Sequence, residues 1–154
     1  MKQVIIFSLI FIITHSITVL AQDIDYLFDG EKHFKNVKML TTSGENAEAY
    51  FSFDGNKLVF QATFDSMECD QIFTMNIDGT DRKLVSTGNG RTTCAYYYPD
   101  ETKIIYASTH QSDEKCPPPP NRSKSYVWKL YETFDIFLKD GDELKAANYD
   151  ETGN

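Results

Sequence analysis

A ten-residue pattern occurs twice in this chain, 46 residues apart. Phe51-Ser52-Phe53-Asp54-Gly55-Asn56-Lys57-Leu58-Val59-Phe60 aligns with Tyr97-Tyr98-Pro99-Asp100-Glu101-Thr102-Lys103-Ile104-Ile105-Tyr106. Aromatic residue, turn, lysine and aliphatic pair recur in the same places. A second element, Gln71-Ile72-Phe73-Thr74-Met75, recurs as Asp135-Ile136-Phe137-Leu138-Lys139 at an offset of 64, and an Asp-Gly pair follows each copy. The longer offset leaves about 18 additional residues between the second and third elements of the later copy. Such self-similarity means one supersecondary unit built more than once, each unit burying its apolar face against a neighbour.

The units are made of strands. Asp-Gly stands at Asp29-Gly30, Asp54-Gly55, Asp78-Gly79 and Asp140-Gly141. Flanked by strand-forming residues, as the last three are, it signals a hairpin, because a type I′ turn needs positive φ at both central positions. Before Asp78, Phe73, Met75 and Ile77 alternate with Thr74 and Asn76, the period of a half-buried strand. No sustained helical period follows residue 21. A third element appears three times, as Val37-Lys38-Met39-Leu40-Thr41, Arg82-Lys83-Leu84-Val85-Ser86 and Glu143-Leu144-Lys145-Ala146, each ahead of a short polar leader. Four strands in roughly 40–50 residues is the spacing of a propeller blade. The expected fold is all-β: a partial β-propeller of about two four-stranded antiparallel blades plus an orphan outer strand at 37–41. Blade 1 covers about 47–88. Blade 2 covers about 92–147 and carries an insert over about 109–133. Four consecutive prolines, Pro117 to Pro120, make that insert an exposed loop of polyproline character.

Phe51 to Phe60 and Ile72-Phe73-Thr74-Met75-Asn76-Ile77-Asp78-Gly79-Thr80 resemble the propeller repeats of the TolB family, whose first motif reads Ser-Pro-Asp-Gly-Lys. The resemblance covers roughly residues 35–152, within a segment taken as 35–154. It is especially similar to exported TolB-like proteins in which Asn46-Ala47-Glu48-Ala49-Tyr50, Cys69-Asp70-Gln71-Ile72-Phe73 and Cys116-Pro117-Pro118 occur together. Phe53 stands where the family has proline and Glu101 where it has glycine, and both weaken their turns. The resemblance implies protein binding at the cell envelope through a rigid rim of loops. Propellers close with roughly four to eight blades, so two repeats leave apolar faces open. The expectation is the N-terminal piece of a longer propeller, with self-association to complete a ring as the alternative.

Residues 1–21 read as a signal peptide: Lys2, an apolar run from Val4 to Ile13, then Val19-Leu20-Ala21 before Gln22. An uncleaved anchor is the alternative, since the 18 residues from Val4 to Ala21 reach only the lower limit for a bilayer span. Residues 22–34 form a lead segment. Periplasmic or extracellular placement follows, with no membrane span after cleavage. The charge balance is 15 Lys+Arg against 23 Asp+Glu, a net of −8, which argues against nucleic acid because phosphate binding needs a basic excess.

Three cysteines in an oxidising compartment form at most one internal disulfide. Cys94–Cys116 is preferred because it would staple the insert to its own blade; Cys69–Cys94 is the rival, and three free thiols the third alternative. Their spacings of 25 and 22 lack the close pair of a zinc site. Asp78-Gly79-Thr80-Asp81 has too few oxygen ligands for calcium, and no cofactor is expected. No Gly-x-Ser-x-Gly elbow occurs, and His33 and His110 read as solvated loop residues, although His110 lies near Cys116 in sequence. Asn121-Arg122-Ser123 matches a glycosylation sequon. Trp128, the single tryptophan, falls in the insert and is the candidate anchor for a partner. The expected function is a non-enzymatic protein–protein interaction module of the cell envelope. The alternative is the N-terminal propeller of an exported prolyl-oligopeptidase-like peptidase.

Overall fold

The computed structural model describes residues 26–64, 66–125, 127 and 129–147. The expected signal peptide and the third polar leader at 148–151 lie outside them. The chain divides into two compact units, residues 1–38 and 39–154. The described part of the first contains turns and bends without strand. At its Asp-Gly pair, Gly30 takes a φ of 86° and the Glu31 amide donates to the Phe28 carbonyl at 3.0 Å. The Glu31 carboxylate accepts the amides of His33 and Phe34, which hold its pKa below the ordinary value.

The second unit holds eight strands: β1 (Glu45–Phe51), β2 (Lys57–Thr63), β3 (Gln71–Asn76), β4 (Lys83–Leu84), β5 (Thr92–Tyr97), β6 (Lys103–Ser108), β7 (Asp135–Asp140) and β8 (Glu143–Ala146). They form two four-stranded antiparallel meanders, β1-β2-β3-β4 and β5-β6-β7-β8. The sequence repeat is a repeat of structure down to single hydrogen bonds. In the β1–β2 turn the Ser52 amide donates to the Lys57 carbonyl at 2.9 Å and the Gly55 amide to the Ser52 carbonyl at 3.0 Å. Forty-six residues on, Tyr98 donates to Lys103 at 2.9 Å and Glu101 to Tyr98 at 2.8 Å. Both innermost strands carry a bulge at the same place, with φ of 51° at Glu48 and 47° at Cys94.

The hairpins form where Asp-Gly and its relatives stand, but not as type I′ turns. Five residues link β1 to β2, and only Gly55 has positive φ there while Asp54 accepts the Asn56 amide at 2.9 Å. An acidic residue that satisfies its own turn in this way removes the need for a second left-handed residue. Asp140 is the last residue of β7, so the two-residue loop is Gly141-Asp142, with positive φ at the glycine only, the pattern of a II′ turn. Glu101 adopts the left-handed φ of 59° that its glycine counterpart holds at 73°. Its carboxylate accepts the amide of Asp54 in the other sheet's turn, so the departure from glycine acquires a bond that glycine could not make.

Two cores result. One lies between the sheets: Val59 and Ile72 of the first meet Ala95, Tyr97, Tyr106 and Phe137 of the second. The other lies on the far face of the first sheet, where Leu58, Phe60, Ala62, Phe64, Phe73 and Met75 cluster under Leu40 and Met67. That second core explains why 37–41 is not the outer strand expected from sequence. No strand of the described residues includes it. Leu40 instead packs face-on against the apolar cluster, and its backbone runs so near Gly79 that a Cβ there would lie 3.1 Å from the Leu40 carbonyl oxygen. Covering Phe and Met surface in this way stabilises the segment by removing apolar area from water.

Candidate functional site

The additional residues of the second repeat leave β6 at Ser108 and return at Asp135. Local bonds fix the start of this insert. The Gly90 amide donates to the Glu114 carbonyl at 2.7 Å, and Arg91 and Thr109 exchange bonds at 3.0 Å. Gly90 has no room for a side chain: a Cβ would lie 2.7 Å from the His110 backbone nitrogen. Gln71, fully buried in β3, donates to the Gly90 carbonyl at 3.0 Å and accepts from Ser86 at 2.7 Å and Gly88 at 3.1 Å. A buried amide with every one of these bonds made ties the link between the sheets to the first sheet.

The disulfide is Cys69–Cys116, with a Cα–Cα distance of 5.6 Å, and Cys94 is a free, exposed thiol. Neither expected pairing, Cys94–Cys116 nor Cys69–Cys94, forms. The reason is local backbone. Cys94 is the bulge residue of β5, the counterpart of exposed Glu48, and its amide donates to the Gln61 carboxamide at 3.2 Å. Cys69 lies in the β2–β3 loop, and the bridge therefore staples the insert of the second sheet to the first sheet across the seam. The alignment of Cys94 with Glu48, visible in the sequence, was the signal that Cys94 sits in a strand.

The stapled insert roofs a cleft of about 510 Å³. One wall is the inner strands, with Ala47 and Glu48 of β1 and Thr92 to Cys94 of β5; the other is the insert, with Pro119, Pro120, Leu130, Tyr131 and Phe134. At its floor Arg91 pairs with Asp70 at 3.0 Å, and its other terminal nitrogen lies 3.7 Å from the Cys116 sulfur. The Tyr131 hydroxyl donates to the Pro118 carbonyl at 2.8 Å, and its ring meets Phe134 edge-on at 5.9 Å. Arg122 and Lys129 supply positive charge from the insert side, with the Lys129 ammonium 4.9 Å from the Tyr131 ring centre.

Trp128, the anchor expected from sequence, lies outside the described residues. His110 is a packed rather than a solvated residue. Its ring lies 4.2 Å from Phe137, its Nδ1 is 2.8 Å from the Ser108 hydroxyl, and burial pushes its pKa down. Cys116 is spent in the disulfide, so a Cys116–His110 pair has no thiolate to offer. The Asn121 side chain accepts the Ser123 amide at 2.9 Å, a turn bond within the sequon. Asp54 is held at about 2 by hydrogen bonds from Ser52 and from the Asn56 amide and side chain, the structural role assigned to turn carboxylates above. Tyr50, bonded to Glu48, has its pKa raised by that carboxylate. Among the described residues no group of three His, Cys, Asp or Glu side chains could hold a metal ion, and no helix is long and apolar enough to cross a membrane.

No protein-family model and no curated protein matches the chain. A solved structure does: a protein from Agrobacterium tumefaciens assigned as TolB, at a TM-score of 0.50 and 17% identity over 70% of this chain. The fold is TolB-like. This chain spans about a third of that protein, 35% of its length. The two meanders are accordingly two blades of a partial propeller, with β1 and β5 as their inner strands.

Proposed function

We propose that this chain is a non-enzymatic protein-interaction module of the cell envelope, exported to the periplasm or beyond the cell. One observation carries the reading. The outer face of the second blade presents Ile105 and Ile136, with Ile136 exposed. The repeat offsets make these the counterparts of Val59 and Ile72, the face of the first blade that the second blade covers. A face built to be covered in one copy and open in the other is an association surface. It would take another sheet of the same kind, from a further length of chain or from a second copy, and a protein partner at the envelope would use the rim above it. Light scattering on the chain secreted through its own leader tests this. A discrete assembly that Ile136→Asp dissolves supports it, while a monomer that stays monomeric and folded at high concentration counts against it.

A further inference from the structure

We infer that Met39-Leu40-Thr41 is a displaceable cap over the far face of the first blade, and that a second copy of this chain docks there through the open face of its second blade once the cap lifts. This deepens the interaction-module reading above and rests on it. The repeat supplies the matching surfaces. Within the chain, Val59 and Ile72 of the first blade pack against Tyr97, Tyr106 and Phe137 of the second. The open face of the second blade carries the counterparts of the first pair, Ile105 and Ile136. The far face of the first blade carries the counterparts of the other three: Phe60 and Phe73 in its core, and Phe51 paired across the strands with Leu58. One chain therefore bears both halves of its own internal seam a second time, at its two ends, where a head-to-tail contact between copies would join them.

The far face of the first blade is more apolar than the same face of the second. Where the second blade has Ser108, His110 and Lys139, the first has Ala62, Phe64 and Met75, all buried. The ring contact is kept: Phe64 meets Phe73 edge-on at 5.0 Å, and His110 meets Phe137 at 4.2 Å. In the second blade this surface takes a whole sheet. In the first it takes Leu40, from a segment without strand, beside Met67 of the blade's own β2–β3 loop and the Arg82 guanidinium 4.0 Å over the Phe64 ring. Leu40 is half-buried and Met39 beside it exposed, and Phe51 is left exposed where its counterpart Tyr97 is buried. A cover held by one half-buried leucine opens locally at far lower cost than a packed sheet. The lack of a side chain at Gly79 lets the Leu40 backbone come close enough to lie there. While the cap is down it holds the place of a docking sheet, so the affinity of that face is reduced in proportion to the fraction of chains uncapped.

The test titrates the parent chain against acceptor chains labelled on the free Cys94 thiol. All acceptors carry Ile136→Asp, so that only their first blade can dock. Adding Leu40→Asp to the acceptor should tighten its binding of the parent at least about tenfold, read by fluorescence anisotropy. Leu40→Ala, which withdraws the cap's side chain without adding a charge, should give a smaller gain in the same direction, and it carries the test if the aspartate variant does not fold. Phe51→Asp, on an exposed side chain of the far face, should abolish the gain, and so should Ile136→Asp in the titrated chain. Equal binding by capped and uncapped acceptors would overturn the inference, as would a gain that survives Phe51→Asp. If the parent assembles and Ile136→Asp dissolves the assembly, yet uncapping adds nothing, the association surface stands and the cap fails. If no acceptor binds and the parent stays monomeric, both fail.

Discussion

The two blades are built from one repeat, yet the same positions do different work in each. Ile72 is 0% exposed and Ile136, its counterpart, 45%. Phe51 is 68% exposed, while Tyr97, 46 residues later, is 8% exposed between the sheets. The first difference is between identical residues and the second between two aromatic rings of similar size. Each blade has a face that covers its predecessor and a face that its successor covers, so burial is assigned by position in the series. Residue type alone therefore misjudges importance here, and the repeat offset corrects it.

Substitutions at paired positions sharpen that contrast. Removing the Cys69–Cys116 bridge with serine at both sites should have the largest effect, because it frees a sequence separation of 47 residues. A loop of that size corresponds to about 3–4 kcal/mol of stability, read from chemical denaturation against the parent. Next, Ile72→Ala should cost about 3 kcal/mol and Ile136→Ala well under about 1 kcal/mol, since only the first leaves a cavity. Equal losses at the two sites would mean that the face of the second blade is already covered. Tyr106→Phe should be neutral or stabilising by about 1 kcal/mol. Its hydroxyl is buried without a partner among the described residues, burial holds its pKa near 12, and the first blade uses Phe60 at the same position. A clear loss of stability in Tyr106→Phe would reveal a bond to that hydroxyl.

The smallest effects concern acid. His110 has a folded pKa below its unfolded value of 6.5, so the unfolded chain takes up a proton first and stability falls as pH drops below that value. His110→Gln should flatten this part of a melting-temperature profile. Asp54 acts lower: its pKa of about 2 against 3.8 unfolded gives stability that is full above 3.8 and lost as pH falls toward 2. Asp54→Asn should remove that limb alone.

The order of strands was legible because turn chemistry and alternation repeat at fixed offsets, and each copy checks the other. The bulges were not, since Glu48 and Cys94 look like ordinary strand residues until the ladder skips them. The disulfide was missed for a different reason: the insert was expected to be stapled to its own blade, and the bridge instead crosses the seam to Cys69. The segment at 37–41 has strand-like alternation, but Leu40 found an apolar face, and periodicity cannot tell a ladder from a lid. Of the cleft, the prolines and the insert length were visible in advance. Its roofing depended on Cys69, which lies in the other blade, and long-range closure leaves no local mark in a sequence.

Tyr50 and Tyr96 occupy equivalent positions in the two blades, and their rings stack with centroids 4.2 Å apart. Sheets packed face to face stand about 10 Å apart, so a simple translation from one blade to the next would separate these rings far more. The operation that carries the first blade onto the second is therefore a rotation, and its axis passes near the tyrosines. Toward the outer strands the sheets part, and a gap of about 570 Å³ opens between Leu84 and Lys139. A unit that turns about a fixed line as it is copied generates a ring where the turn divides the circle and a helical filament where it does not, whereas one that merely stepped sideways would generate a straight stack.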